Sequence, residues 1–193
     1  MDKYEIKLPP GFLLSNDEFY ALCQENRDLR FERNAKGEII IMAPTGGITG
    51  KKNNKLSAKL DYWNEVHQGG EVFNSSTGFV LPNGATRSPD ASWLERSRWE
   101  ALTEEQQAKF VPLCPDFVVE LMSPSDILKP MQAKMQEWMD NSCRLGWLFY
   151  PPKEQTFIYR AGQAEPEVLS GYDQTLSGEE VLPGFAFDLQ WLK

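Results

Sequence analysis

The chain of 193 residues carries 28 Asp and Glu against 20 Lys and Arg, a formal net charge of −8, and is 41% hydrophobic and 25% charged. That is the composition of a globular domain large enough to bury a core, and its acidity excludes a broad sequence-independent grip on nucleic acid while leaving room for a local basic patch. Three widely spaced cysteines, Cys23, Cys114 and Cys143, and a lone histidine, His67, argue against a disulfide scaffold, a zinc site, a histidine-rich metal centre or a Ser-His-Asp triad.

No apolar stretch reaches membrane-spanning length, and the start of the chain lacks the basic-then-apolar pattern of a signal peptide. We therefore expect one cytoplasmic domain over residues 1–193, with no membrane partner. Ser15 with Glu18 three residues later forms a capping-box pattern, and Phe19, Leu22 and Cys23 follow at helical spacing, which predicts a helix over about 16–25. Leu29–Arg33 and Glu38–Ala43 flank the turn sequence Asn34-Ala35-Lys36-Gly37 and predict a β-hairpin. A glycine-containing loop, Pro44–Gly50, leads into a helix expected over about 51–66, with Leu56, Leu60 and Trp63 on one face and Lys52, Lys55 and Lys59 on another.

From Glu71 to Leu94 the pattern is that of strands, near 71–74, 78–82 and 87–94, and the polar stretch Glu95–Lys109 reads as a short helix and a loop. Phe117-Val118-Val119-Glu120-Leu121-Met122 is an apolar run bounded by Pro115 and Pro124, the signature of a buried central strand. A helical segment follows to about Ser142, then strands at Leu145–Tyr150, Gln155–Tyr159 and Glu167–Leu169, and a last alternating strand over Leu182–Leu189. This order predicts a mixed α/β (α+β) fold with one main sheet.

Glu120 is the feature that needs explaining, because a buried carboxylate without a partner is strongly unfavourable. Strand alternation places it with Val118 and Met122, opposite Phe117, Val119 and Leu121. Two other residues are unusual in their patterns. Asp90 directly follows Pro89 at a strand start, a position that by itself suits a turn or cap residue. Lys134 lies at the edge of the stripe Met131, Met135, Trp138 and Met139, where a lysine otherwise runs its amine out to water. Taken together, two carboxylates converging at strand ends suit a hard divalent cation, and a lysine beside them can position water or offset charge on phosphorus. That is a recipe for metal-assisted phosphodiester hydrolysis.

Ser88-Pro89-Asp90, the series from Pro115-Asp116 through Val118-Val119-Glu120 to Ser123-Pro124-Ser125-Asp126, then Lys134 and Leu145-Gly146-Trp147-Leu148, resemble the Uma family of restriction-endonuclease-like bacterial proteins within the PD-(D/E)XK nuclease superfamily. The resemblance implies a restriction-endonuclease-like fold, a central mixed sheet flanked by helices with an N-terminal helix and hairpin. It implies Asp90 and Glu120 as ligands of Mg²⁺ or Mn²⁺, with the Leu121 carbonyl as a third. The superfamily's lysine position, two residues after the glutamate, holds Met122 here, and Lys134 is the replacement from the following helix. Glu32 matches a glutamate that the family places near the metal, although an edge-strand carboxylate in solvent fits the same pattern. Where many relatives carry a histidine, this chain has Thr49-Gly50-Lys51-Lys52-Asn53, which leaves that role absent or passed to Asn53.

Lys51, Lys52 and Lys55, with Asn53, form the best candidate contact to a nucleic-acid backbone, the bland alternative being a solvated helix face. The expected activity is a metal-dependent endonuclease acting on DNA, the expected partners are DNA and a second copy of the chain in a homodimer, and the alternative is a catalytically silent binding or regulatory protein that retains the fold.

Overall fold

The structure, a computed structural model, describes residues 4–6, 9 and 12–193, the first three as backbone only. The chain forms two compact units, one from the residues up to Pro44 with Ser76–Ser88 and Leu102–Cys114, the other from Thr45–Ser75, Pro89–Ala101 and Pro115–Lys193. Elements are numbered along the chain.

In the first unit, β1 (Tyr4–Ile6), α1 (Asn16–Glu25), β2 (Arg30–Arg33), β3 (Ile39–Met42), β5 (Phe79–Val80), β6 (Thr86–Arg87) and α4 (Glu104–Ala108) assemble around a five-stranded sheet of order β1-β3-β2-β6-β5. The capping box predicted for α1 is formed: the Ser15 hydroxyl accepts from the Glu18 N–H, and the Glu18 carboxylate accepts from the Ser15 N–H at 2.7 Å. The hairpin turn closes on Gly37, whose φ of +83° is cheap only for glycine. The hairpin does not stand alone. Both of its strands are interior to the sheet, and the buried Arg33 secures it to the start of α1 by donating to the carbonyls of Leu14 and Ser15 and to the Asn16 side chain.

The second unit holds α2 (Gly47–His67), β4 (Gly70–Asn74), β7 (Ala91–Glu95), α3 (Arg96–Glu100), β8 (Phe117–Leu121), α5 (Leu128–Asp140) and β9 (Leu145–Tyr150), followed by β10 (Gln155–Arg160), β11 (Glu167–Ser170), β12 (Thr175–Ser177) and β13 (Ala186–Asp188). Its main sheet has six strands in the order β11-β10-β9-β8-β7-β4. Every pair is antiparallel except β8 with β9, which run parallel because α5 carries the chain back between them. β8 is central, and all five of its residues are buried. Phe117, Val119 and Leu121 enter a core with Leu56, Leu60 and Trp63 of α2 and the aromatic group Trp147, Phe149, Phe185 and Phe187. On the other face lies the apolar stripe of α5, Met131, Met135 and Trp138.

Four expectations change. The single main sheet is joined by the five-stranded sheet of the first unit and by the two-stranded β12–β13. The second helix begins at Gly47 instead of near 51, because its buried stripe extends back to Thr49 and tertiary burial outweighs the poor helix propensity of Gly47 and Gly50. The strand expected over 87–94 is split, β6 ending at Arg87 and β7 starting at Ala91, since Pro89 has no N–H for a ladder. The last strand shrinks to β13, paired with β12, which periodicity did not reveal. Among the described residues no helix is long and apolar enough to cross a membrane.

Candidate active site

Side chains from β8 and α5 meet on one face of the six-stranded sheet. Glu120, 3% exposed, turns toward α5, where its Oε1 accepts from the Trp138 indole N–H at 3.0 Å and pairs with the Lys134 ammonium at 2.8 Å. Lys134 sits one turn from both Met131 and Trp138, so the helix spacing that buries those side chains also carries the lysine inward. Its side chain is only 9% exposed and its charge ends on Glu120. The pair resolves the cost of the buried carboxylate, since an ammonium and an indole N–H replace part of its hydration.

Asp90 stands immediately before β7, and its N–H donates to the Val119 carbonyl, which extends the β7–β8 register toward Glu120. Its carboxylate is held at both oxygens: Oδ2 accepts from the Leu121 N–H and Oδ1 from the Asn53 amide, each at 2.7 Å. Asp90 keeps a solvent-facing edge, yet burial dominates its titration and pushes the carboxyl above the usual range. The Leu121 N–H, the Lys134 charge and the Asn53 amide pull it back down, and Asp126 pushes it up. Asp126 is itself fixed by the Ser123 N–H and hydroxyl at 2.7 and 2.8 Å, which shapes the Ser-Pro-Ser-Asp loop after β8.

Asn53 reaches Asp90 because it prolongs the inward stripe of α2. Positions 53, 56, 60 and 63 lie along one line of the helix, and the last three are core residues. Helices on opposite faces of one sheet thus send an amide to Asp90, just before β7, and an ammonium to Glu120 in the neighbouring β8.

Among the described residues no group of three or more His, Cys, Asp and Glu is placed to hold a metal. Mg²⁺ needs fewer protein ligands, since it is commonly bound by one or two carboxylates and keeps several waters. The oxygens present fit such an ion. Besides the carboxylates of Asp90 and Glu120, Asn53 Oδ1 is a buried acceptor with no hydrogen-bond donor among the described residues, a cost that an oxygen-seeking ligand would relieve.

The remaining predicted residues fall in different places. Glu32 belongs to the first unit, where it is 1% exposed on an interior strand and accepts from Arg87 at 3.0 Å and from the Ser88 N–H at 3.1 Å. It is therefore not a solvated edge residue. Leu121 touches Asp90 through its N–H. Met122 is buried. Asp116, part of the same sequence series, is committed to a staple with Arg98 at 2.8 Å and the Glu95 N–H at 2.9 Å, which separates it from the Asp90 site. Lys51 and Lys55 are exposed on α2 and Lys52 is half-buried, its pKa lowered by burial and by the adjacent Lys51 charge. Lys59 lies over the Trp191 ring at 4.3 Å. The indole of Trp138 as a donor to Glu120, and Asn53 as a partner of Asp90 instead of a surface contact, went unread in the sequence. The stripe spacing of α2 was the available signal for the second.

The sequence matches the Uma2 family, described as "Putative restriction endonuclease", over residues 16–190. No curated protein matches it. Among solved structures, the fold is similar to that of a crystal structure of a putative nuclease belonging to DUF820 from Anabaena variabilis ATCC 29413. The two chains are 18% identical, with a TM-score of 0.73 over 93% of this chain and 99% of that one. Identity at that level speaks to the fold alone, a mixed α/β architecture built on a central six-stranded sheet. The family match spans nearly the whole chain, and on that ground the protein belongs to the Uma2 family.

Proposed function

We propose that the second unit carries the centre of a metal-dependent endonuclease that hydrolyses phosphodiester bonds of DNA. Asp90 and Glu120 would hold Mg²⁺ or Mn²⁺, which when bound supplies Lewis-acid polarisation of the scissile phosphate. Lys134 holds the attacking water and offsets the negative charge that grows on the phosphate oxygens. Asn53 and the Leu121 N–H keep Asp90 aimed. Exposed Lys51 and Lys55, with Lys52, give α2 a cationic edge suited to the phosphate backbone.

The observation that carries this reading is the ion pair of Lys134 with Glu120 at 2.8 Å. It supports a lysine supplied by α5 where Met122 stands on the strand. Supercoiled plasmid incubated with Mn²⁺ or Mg²⁺ tests the proposal. The expected result is nicking or linearisation that Asp90→Ala abolishes and that Lys134→Ala slows by about 10²–10⁴-fold, the usual contribution of a positioned acid–base group. Plasmid left intact by protein that binds Mn²⁺ would overturn it in favour of a silent, fold-retaining binding protein.

A further inference from the structure

Asn53 has a feature that holding Asp90 does not use. Its Nδ2 donates to Asp90 Oδ1 at 2.7 Å, which commits that end of the amide to the carboxylate. The other end, Oδ1, is then fixed in place as a buried acceptor, and no described residue donates to it. An amide oxygen shut off from both water and donors is unfavourable, and such a group calls for an explanation, of which a bound ion is one. The ligand's chemistry follows from the neighbours. Asp90, which accepts from that amide just before β7, is a carboxylate, Glu120 is a second one in β8, the strand paired with β7, and among the described residues no third His, Cys, Asp or Glu is placed to complete a metal-holding group. Carboxylate and amide oxygens together are the donor set of a hard divalent cation.

We propose that Asn53 Oδ1 is a further protein oxygen of the cation site, joining Asp90 and Glu120, so that one amide both clamps the aspartate and ligates the ion. The inference rests on the metal-dependent reading above. It accounts for three observations together: an asparagine set between Thr49 and Leu56 in the inward stripe of α2, the short bond to Asp90, and an oxygen with no donor among the described residues. It also assigns Asn53 to the metal rather than to the DNA backbone.

Mn²⁺ binding, followed by the loss of the free-ion electron paramagnetic resonance signal with Mg²⁺ as competitor, tests this without reference to cleavage. Four proteins are compared, the parent, Asp90→Ala, Asn53→Ala and Asn53→Asp, each checked for folding by circular dichroism and thermal midpoint. Asn53→Ala removes donor and oxygen, and Mn²⁺ affinity is expected to fall at least about 10-fold, the range seen when groups supporting a metal are lost. Asn53→Asp keeps an oxygen at the same reach but loses the donor and sets a like charge beside Asp90. A ligand role predicts that its Mn²⁺ affinity returns to the parent value or exceeds it. A role confined to clamping Asp90 predicts that it binds as poorly as Asn53→Ala or worse.

The proposal is overturned if Asn53→Ala binds Mn²⁺ like the parent, or if Asn53→Asp fails to recover binding while remaining folded. A parent that binds no Mn²⁺, or an Asp90→Ala protein that binds it equally well, removes the metal reading itself and this inference with it. Those outcomes are distinct from failure of Asn53 alone.

Discussion

Glu120 and Lys134 make one unit of charge balance, and neither is tolerable without the other. Glu120 is 3% exposed, and the Lys134 ammonium lies 2.8 Å from it. Breaking such a buried pair from one side costs about 3–5 kcal/mol, because the survivor is left charged and without its counter-ion, whereas removing both charges is far cheaper. Lys134→Met is therefore expected to lower the thermal midpoint by about 6–12 °C, taking about 3 kcal/mol and about 2–4 °C per kcal/mol for a chain of this size. Glu120→Gln combined with Lys134→Met should recover much of that loss in thermal denaturation. A double variant as unstable as Lys134→Met would show that the lysine packs and does not pair. Both residues were legible in the sequence because each breaks a pattern, a carboxylate in an apolar strand and a lysine in an apolar helix stripe. Asn53 was not legible in that way, since an asparagine near a helix start is ordinary until its partner across the fold is known.

At the scale of elements, the position of Asp90 depends on β7 being paired on both sides, with β4 and with β8. Gly70 opens β4 opposite Glu95, and a Cβ there would lie 2.1 Å from the Leu94 carbonyl oxygen and 2.6 Å from the Trp93 ring. Backbone cannot yield as a side chain does, so Gly70→Ala is expected to destabilise the protein by about 1–3 kcal/mol or more. Gly146 offers the contrast. Its added Cβ would meet the terminal methyl of Met135 at 2.5 Å, and that flexible side chain can turn away. Denaturant unfolding of Gly70→Ala and Gly146→Ala should rank them in that order, and equal midpoints would contradict the close β4–β7 packing. The expected helix α1, hairpin, β8, α5 and β9 were readable because caps, turn residues and apolar runs are local signals. The break at Pro89 is also written locally, but its meaning is not: β6 and β7 enter different sheets, and only strand pairing decides that.

For the molecule as a whole, the groups buried in their neutral forms set an alkaline limit. Burial pushes the Cys23 thiol up to about 11 and the Tyr159 phenol up to about 12, and it raises Tyr172 further still. Each folded-state value exceeds the ordinary one, so the stability it contributes is fully present below the ordinary pKa and is lost as pH rises through the folded value. The expected outcome is a thermal midpoint that declines from about pH 9 upward, near where an unperturbed thiol begins to ionise. Thermal scans from pH 8 to 11 test it, and a flat profile would mean that these side chains reach solvent. Composition and local pattern by themselves determined a mixed α/β protein with a carboxylate in its central strand and a lysine in the helix behind it, because capping, turn chemistry and hydrophobic period act over a few residues. Tertiary structure alone decided that the chain divides into two units, each with its own main sheet, that Asp116 is a staple while Asp90 faces Asn53, and that one oxygen of that asparagine has no donor among the described residues. Those outcomes depend on which distant strands and helices meet, and no local period encodes the meeting.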